Sequence, residues 1–280
     1  MVSLCHVGFQ FSESMVESIP LNFNRPHEIG MMMSPLVNVV KLANVARMAH
    51  KYHFANLEEW ARSAFISYLQ VENSIPIETH SLVHATEVAV LCDDAKLLQL
   101  VRTKWTGLIE EKKDLSLAIN VFERLGMCDL RGLAYYAMML QGRGKWNSDP
   151  LLTREQRIRL LSGYYTISEI CANLPSNPPT FPHHISCQFE DECQESWESL
   201  WKDNIGGGIV TARDRVVVGP DKNDLIGKMK MSISLFKTLM AKRSWPGALN
   251  FYCAPFALEV MIQMAEDFKA QLIGVFRDVD

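Results

Sequence analysis

The chain has 280 residues, 48% of them hydrophobic, and carries 28 basic against 32 acidic side chains for a formal net charge of −4. That length and apolar content suit one or two folded cores and exclude an intrinsically disordered chain. The two charge signs are mixed along the sequence, so no basic stripe is available to release counterions from DNA or RNA, and nucleic-acid binding is not expected.

The start lacks a basic segment followed by an apolar one, and no apolar run approaches about 18 residues, so neither a secretory leader nor a membrane span is expected. Seven cysteines, Cys5, Cys92, Cys128, Cys171, Cys187, Cys193 and Cys253, lie mostly in helix-like runs, and no Asn-x-Ser/Thr sequon occurs. An odd, scattered set argues against a disulfide framework and for an address inside the cell, cytoplasmic or nuclear.

Residues 1–33 show neither alternation nor a helical face and read as an irregular lead-in. Ser34-Pro35 is a helix start signal, a side-chain acceptor followed by a proline that loses no bond at the first position. From 36 to 51 nearly everything is apolar except Asn38, Lys41, Asn44, Arg47 and Lys51, one narrow stripe on a helix buried on most sides. Tyr52-His53-Phe54-Ala55 breaks the pattern. Asn56 with Glu59 reads as a capping box for a second helix, with Leu57, Trp60, Ala61, Ala64, Phe65, Tyr68 and Leu69 on its apolar face.

Further helical patterns follow at 79–91, 94–111, 115–126 and 129–141, lengths that suit stacked helix pairs, although no fixed-period repeat is evident in the residues. The segment GRGKWNSDP from Gly142 reads as a loop, with a boundary near 142–152. Thr153 with Gln156 forms a capping box for a helix to about Asn173. After an irregular proline-rich stretch at 174–184, a helix is expected over Cys193 to Trp201. The runs IVTA and VVVG around Arg213-Asp214-Arg215 suggest one small β-hairpin near 209–218. The last helices, at 225–241 and 254–276, carry Met229, Ile233, Phe236 and Met240 on one face, and Phe256, Val260, Met264 and Phe268 on another. The expected fold class is all-α, built from stacked helical hairpins.

The hairpin LVNVVKLANVARMAHKYHFANLEEWARSAFISYL resembles the closing helices of the BTB/POZ domain in basidiomycete fungal proteins, where an A-H-K-Y helix end leads to an L-E-x-W-A helix. Arg159-Leu160-Leu161 before Gly163, PPTFPHHISC at 178–187, CQESWESLW at 193–201 and ALEVMIQMAEDFKAQLIGVF at 257–276 resemble the helical extension of the same group. The resemblance implies a BTB-like C-terminal hairpin at 34–75, a helical extension at 76–145 and a C-terminal helical subdomain at 153–280. It also implies adaptor or scaffold work among other proteins. Residues 1–33 are too short for the strands and helix of the first half of a BTB domain, so BTB-type homodimerisation is not carried over.

The sharpest chemical hint is the cluster His183, His184, Cys187 and Cys193. His184, Cys187 and Cys193 are zinc candidates, with a fourth ligand to come from His183, Cys171 or Cys253. The H-x2-C-x5-C spacing matches no standard finger. The preferred reading makes Cys193, Trp197, Leu200 and Trp201 the buried face of a helix, both indoles bonded locally, with no metal. His80, His84 and Glu87 share a helix face without the glutamate of H-E-x-x-H, so no metal role is expected. His50 and His53 read as helix-end residues and Asp93-Asp94 as cap and first-turn acids. Glu110-Glu111-Lys112-Lys113 reads as a solvated helix end, Gly206-Gly207-Gly208 as a turn and not a phosphate cradle, and Met31-Met32-Met33 as a loose lead-in or an adaptable contact surface.

No catalytic signature is present. The expected function is therefore a non-catalytic protein–protein interaction module without cofactor. The alternatives are an enzyme with a site near the His/Cys loop at 183–193, or a truncated gene-model product with no independent function.

Overall fold

The computed structural model describes residues 38–70, 78–203, 210–211, 215–216, 221–242 and 249–277. Among these the architecture is all-α. They form eleven α-helices, and the one sheet among them is a two-residue antiparallel ladder between β1 (Val210–Thr211) and β2 (Arg215–Val216), at the expected hairpin. Two compact units are present, one ending at Arg131 and one starting at Gly132. The division falls within a helix, upstream of the boundary the sequence suggested at 142–152.

The first unit holds α1 (Val39–Lys51), α2 (Ala55–Gln70), α3 (Thr79–Leu91), α4 (Ala95–Glu110), α5 (Leu115–Leu125) and the start of α6 (Cys128–Leu140). Asn38 caps α1, its side chain accepting from the Lys41 N–H at 3.1 Å, so the helix starts later than the 36 expected, and Ser34-Pro35 lies outside the described residues. The α2 helix is entered at Ala55, with the Phe54 carbonyl accepting from the Glu58 N–H at 2.9 Å. Asn56 is thus inside the helix and not the cap that its pairing with Glu59 predicts.

The turns themselves dictate this entry. His53, Asp93, Lys112 and Gly126 all have left-handed backbone, with φ of 58°, 47°, 56° and 67°. The residue after each donates its N–H five residues back: Phe54 to Ala49, Asp94 to Ala89, Lys113 to Leu108 and Met127 to Phe122, at 2.9–3.1 Å. These are Schellman-type stops, which satisfy the last carbonyls of one helix while turning the chain into the next.

A repeat emerges that the residues alone concealed. The helix pair α1 and α2 (13 and 16 residues) recurs as α3 and α4 (13 and 16 residues), with starts at Val39 and Thr79 and an offset of 40 residues throughout. The sequences agree only at Leu42/Leu82, Ala49/Ala89, Ala55/Ala95, Leu57/Leu97 and Arg62/Arg102. Burial repeats far better: Leu42, Val45, Ala46, Ala49, Ala61, Phe65 and Leu69 are matched by Leu82, Ala85, Thr86, Ala89, Val101, Trp105 and Ile109. The first helices pack on each other (α1 on α3) and so do the second (α2 on α4), the stacking of a tandem hairpin array. The third pair, α5 and α6, has 11 and 13 residues and breaks the period.

Arg62 of α2 reaches Asp94, the cap of α4, at 3.0 Å, and its equivalent Arg102 of α4 pairs with Asp129 in the first turn of α6. Each arginine therefore meets an acid at the N-terminus of a later helix, where a negative charge also suits the helix dipole. In the core, fully buried Trp105 donates its indole N–H to Thr86 Oγ1 at 2.8 Å, Thr86 donates to the Leu82 carbonyl at 2.6 Å, and Phe122 meets the indole edge-on at 5.1 Å.

The second unit holds the rest of α6, α7 (Arg143–Ser148), α8 (Arg154–Asn173), a 3₁₀ turn (Leu174–Ser176), α9 (Glu190–Trp201), α10 (Leu225–Lys242) and α11 (Ala254–Val275). The loop expected from Gly142 contains the short helix α7, because Trp146 is buried and Arg157 clamps the segment by donating to the Trp146 and Asp149 carbonyls at 3.2 and 2.7 Å. Thr153 and Gln156 form the expected reciprocal capping box. On α11 the buried face is Ala254, Ala257, Met261, Ala265, Phe268 and Leu272, rotated from the one expected around Phe256, Val260 and Met264. Packing against this helix is close: a Cβ on Gly132 of α6 would lie 3.0 Å from the Leu272 backbone, and one on Gly163 of α8 would lie 2.1 Å from the Phe276 ring. Phe276 in turn stacks on Tyr135 at 5.5 Å.

Candidate functional site

The helix α9 places Cys193, Trp197, Leu200 and Trp201 on its buried face, as expected. Both indoles are bonded, though to the preceding segment and not locally: Trp197 donates to the Pro179 carbonyl at 2.7 Å and Trp201 to the Leu174 carbonyl at 2.9 Å, 18 and 27 positions away. These two bonds tie the proline-rich segment along the helix. Phe181 then packs edge-on against Trp197 at 5.7 Å and beside His183 at 4.9 Å, which delivers His183 to the N-terminal end of α9.

The next four residues form a tight turn, closed by the Cys187 N–H donating to the His184 carbonyl at 2.8 Å. The His184 ring is spent inside it, accepting from the Ser186 N–H at 3.1 Å and stacking on Tyr252 at 5.2 Å. A second turn precedes α11: the Cys253 N–H donates to the Asn250 carbonyl at 2.9 Å, and Asn250 Oδ1 accepts from the Tyr252 N–H at 2.9 Å. This places Cys253 at the N-cap of α11, buried.

Two turns and one helix start therefore converge. The ligand atoms of His183, Cys187, Cys193 and Cys253 all lie within 4.8 Å of one another, and Cys253 Sγ is 3.7 Å from His183 Nδ1. Backbone N–H groups point at two of the sulfurs: His184 donates to Cys253 Sγ and Asn250 to Cys193 Sγ, each at 3.3 Å. Burial pushes the thiols of Cys193 and Cys253 upward, and their crowding with Cys187 adds to it.

Of the sequence candidates, Cys187 and Cys193 belong to this cluster, whereas His184 does not: its neighbour His183 takes that place. Cys253 is the fourth member, and Cys171, buried on α8, lies apart. The sequence offers Cys253 only as one of three possible fourth ligands, since nothing in residues 183–193 points to a partner 60 positions beyond Cys193.

His84 and Glu87 are committed otherwise, and His80 is exposed on α3 with its ring edge-on to that of His84 at 5.8 Å. Glu87 on α3 accepts from Arg47 of α1 and, at 2.5 Å, from Arg124 of α5, with His84 Nδ1 at 3.4 Å. One carboxylate thus links three first-row helices. Burial raises its pKa, but the hydrogen bond and charge of Arg124, with Arg47 and His84, outweigh that and hold it below the ordinary carboxylate value. His50, Glu58 and Cys92 also converge, but Glu58 already faces His50 at 3.3 Å and Arg62 at 4.0 Å, an ion-pair arrangement. Burial and the charge of Glu58 push the Cys92 thiol up to about 11, which disfavours the thiolate that a nucleophile needs. His53 is an exposed turn residue, Asp94 is the cap of α4, and 110–113 is solvated, as expected. Gly206-Gly207-Gly208 and Met31-Met32-Met33 lie outside the described residues.

A groove of about 330 Å³ beside α8 is lined by Thr166, Ile170, Asn173 and Met264 with one titratable side chain, Glu169, so it brings no acid–base pair together. Among the described residues no helix is long and apolar enough to cross a membrane. No protein-family model, no curated protein and no solved structure matches the chain.

Proposed function

We propose that this chain is a non-catalytic protein-interaction module of the adaptor or scaffold kind, as its resemblance to the helical part of fungal BTB-domain proteins suggests. The observation that carries the reading is the surface of the two turns around the His/Cys cluster. Ile185 is 98% exposed, Phe189 66% and Tyr252 58%, with Phe251 beside it. Turns tied by this many bonds hold such side chains in fixed positions, and solvated aromatic and aliphatic groups on a preorganised surface are the usual anchors of protein recognition. Glu190, Asp191 and Glu192 follow directly in the exposed first turn of α9. The partner that fits is a polypeptide segment with apolar anchors flanked by basic residues.

The test is a comparison of the full chain with Ile185→Asp/Phe189→Asp. Both substituted side chains are exposed, so circular dichroism should be unchanged and thermal melting not lowered, since an aspartate at Phe189, the N-cap of α9, adds a favourable cap. A partner that binds the purified wild-type chain directly and loses at least about 100-fold in affinity for the double variant, the scale of a lost anchor pair, supports the reading. Partners that bind both forms equally refute it.

A further inference from the structure

We propose that His183, Cys187, Cys193 and Cys253 together bind one Zn²⁺ ion in a closed tetrahedral site whose role is structural. A zinc ion about 2.0–2.1 Å from nitrogen and about 2.3 Å from sulfur sets its ligand atoms roughly 3.5–3.8 Å apart. The 3.7 Å between Cys253 Sγ and His183 Nδ1 already has that value, and all four atoms lie within 4.8 Å. Three thiolates and one imidazole are the soft donor set that selects zinc over magnesium or calcium.

The surroundings fit a metal–thiolate centre better than a cluster of packed thiols. A neutral thiol is a weak acceptor, yet two backbone N–H groups, those of His184 and Asn250, are spent on Cys253 and Cys193 sulfurs. Thiolates bound to a cation carry the charge such donors want, and these bonds orient the ligands. Four protein ligands leave no open coordination position, so the ion would activate no water and its effect is on the fold. It would join the 183–187 turn, the start of α9 and the turn before α11, three segments spread over 70 positions of the chain.

The experiment uses the full chain purified under reducing conditions without added metal or chelator. Elemental mass spectrometry should return one zinc per chain. Reduced, metal-stripped chain titrated with Co²⁺ should show the thiolate-to-cobalt charge-transfer absorption and intense visible bands of a tetrahedral thiolate site, and Zn²⁺ should displace them. His183→Gln should weaken zinc by at least about 100-fold, beyond the 10–100-fold of outer-shell changes. Cys253→Ser should alter the cobalt spectrum, whereas His184→Gln and Cys171→Ser should keep full stoichiometry and an unchanged one.

Because a serine variant of a buried cysteine can fail to fold, His183→Gln, at a half-buried position, carries the decision, read by its cobalt spectrum. A folded, reduced wild-type chain that takes up neither Zn²⁺ nor Co²⁺ overturns the proposal. So do a native disulfide among Cys187, Cys193 and Cys253, or metal loss in His184→Gln with none in His183→Gln.

Discussion

Replacing Glu87 with glutamine removes the one carboxylate that Arg47, Arg124 and His84 share across α1, α3 and α5, while keeping its volume. Glu87 is 16% exposed, Arg47 33% and Arg124 54%. The Arg124 bond is therefore screened and worth about 0.5 kcal/mol, the more enclosed Arg47 bond about 1 kcal/mol, and the two guanidinium groups are left facing each other. The expected loss is about 1–2 kcal/mol, a factor of roughly 5–30 in the local opening equilibrium. Native-state hydrogen exchange reads this helix by helix: protection should fall by that factor in α1, α3 and α5 and not in α8 or α11. The effect should also depend on pH. A carboxyl held below its ordinary value contributes stability that is fully present above the unfolded pKa of about 4 and is lost as pH falls through the lower folded value. The difference between wild type and Glu87→Gln should thus be largest near neutrality and vanish in acid. A Glu87→Gln variant no more labile than Glu59→Gln, at an exposed position of α2, would refute the view that this ion cluster ties the first-row helices together.

Three further outcomes test other parts of the fold. Thr86→Val preserves shape but removes the acceptor of the buried Trp105 indole, 2.8 Å away, and should cost about 1–3 kcal/mol in chemical denaturation monitored by fluorescence. Gly163→Ala drives a methyl into the Phe276 ring, 2.1 Å from where its Cβ would lie, and should cost about 1–3 kcal/mol; a smaller side chain at Phe276 should relieve part of it in a double-mutant cycle. At the turns, His53→Gly should stabilise by about 0.5–1 kcal/mol because its φ of 58° is left-handed, whereas Gly126→Ala, at φ 67°, should destabilise by about 1 kcal/mol. Equal effects at the two turns would refute the Schellman description.

Much of the fold was legible because the signals are local. The Thr153/Gln156 box, the Asp94 cap and the spacing of Ala61, Ala64, Phe65 and Leu69 are all written within a turn or two of chain. The 40-residue repeat was not legible, since burial conserves the pattern while the residues change freely: Phe65 and Trp105 fill the same place, as do Ala46 and Thr86. The α7 helix was hidden by its glycine, asparagine and proline neighbours, and the burial of Trp146 with the Arg157 clamp explains it. For the His/Cys cluster the local half, Cys187 and Cys193, was visible. The choice of His183 over His184 turns on which ring the 184–187 turn consumes, and Cys253 arrives only through tertiary packing of the chain before α11.

Because the first two hairpins of the first unit stack row on row at a 40-residue step, that step is the quantum in which this part of the molecule can change length. Duplicating one whole hairpin presents every neighbour with a surface like the one it already meets. Losing a single helical turn rotates half a row out of phase. Evolution or engineering of this region should therefore proceed by large, whole-unit insertions more readily than by small ones, the reverse of what loop-by-loop tinkering achieves in a closed globule.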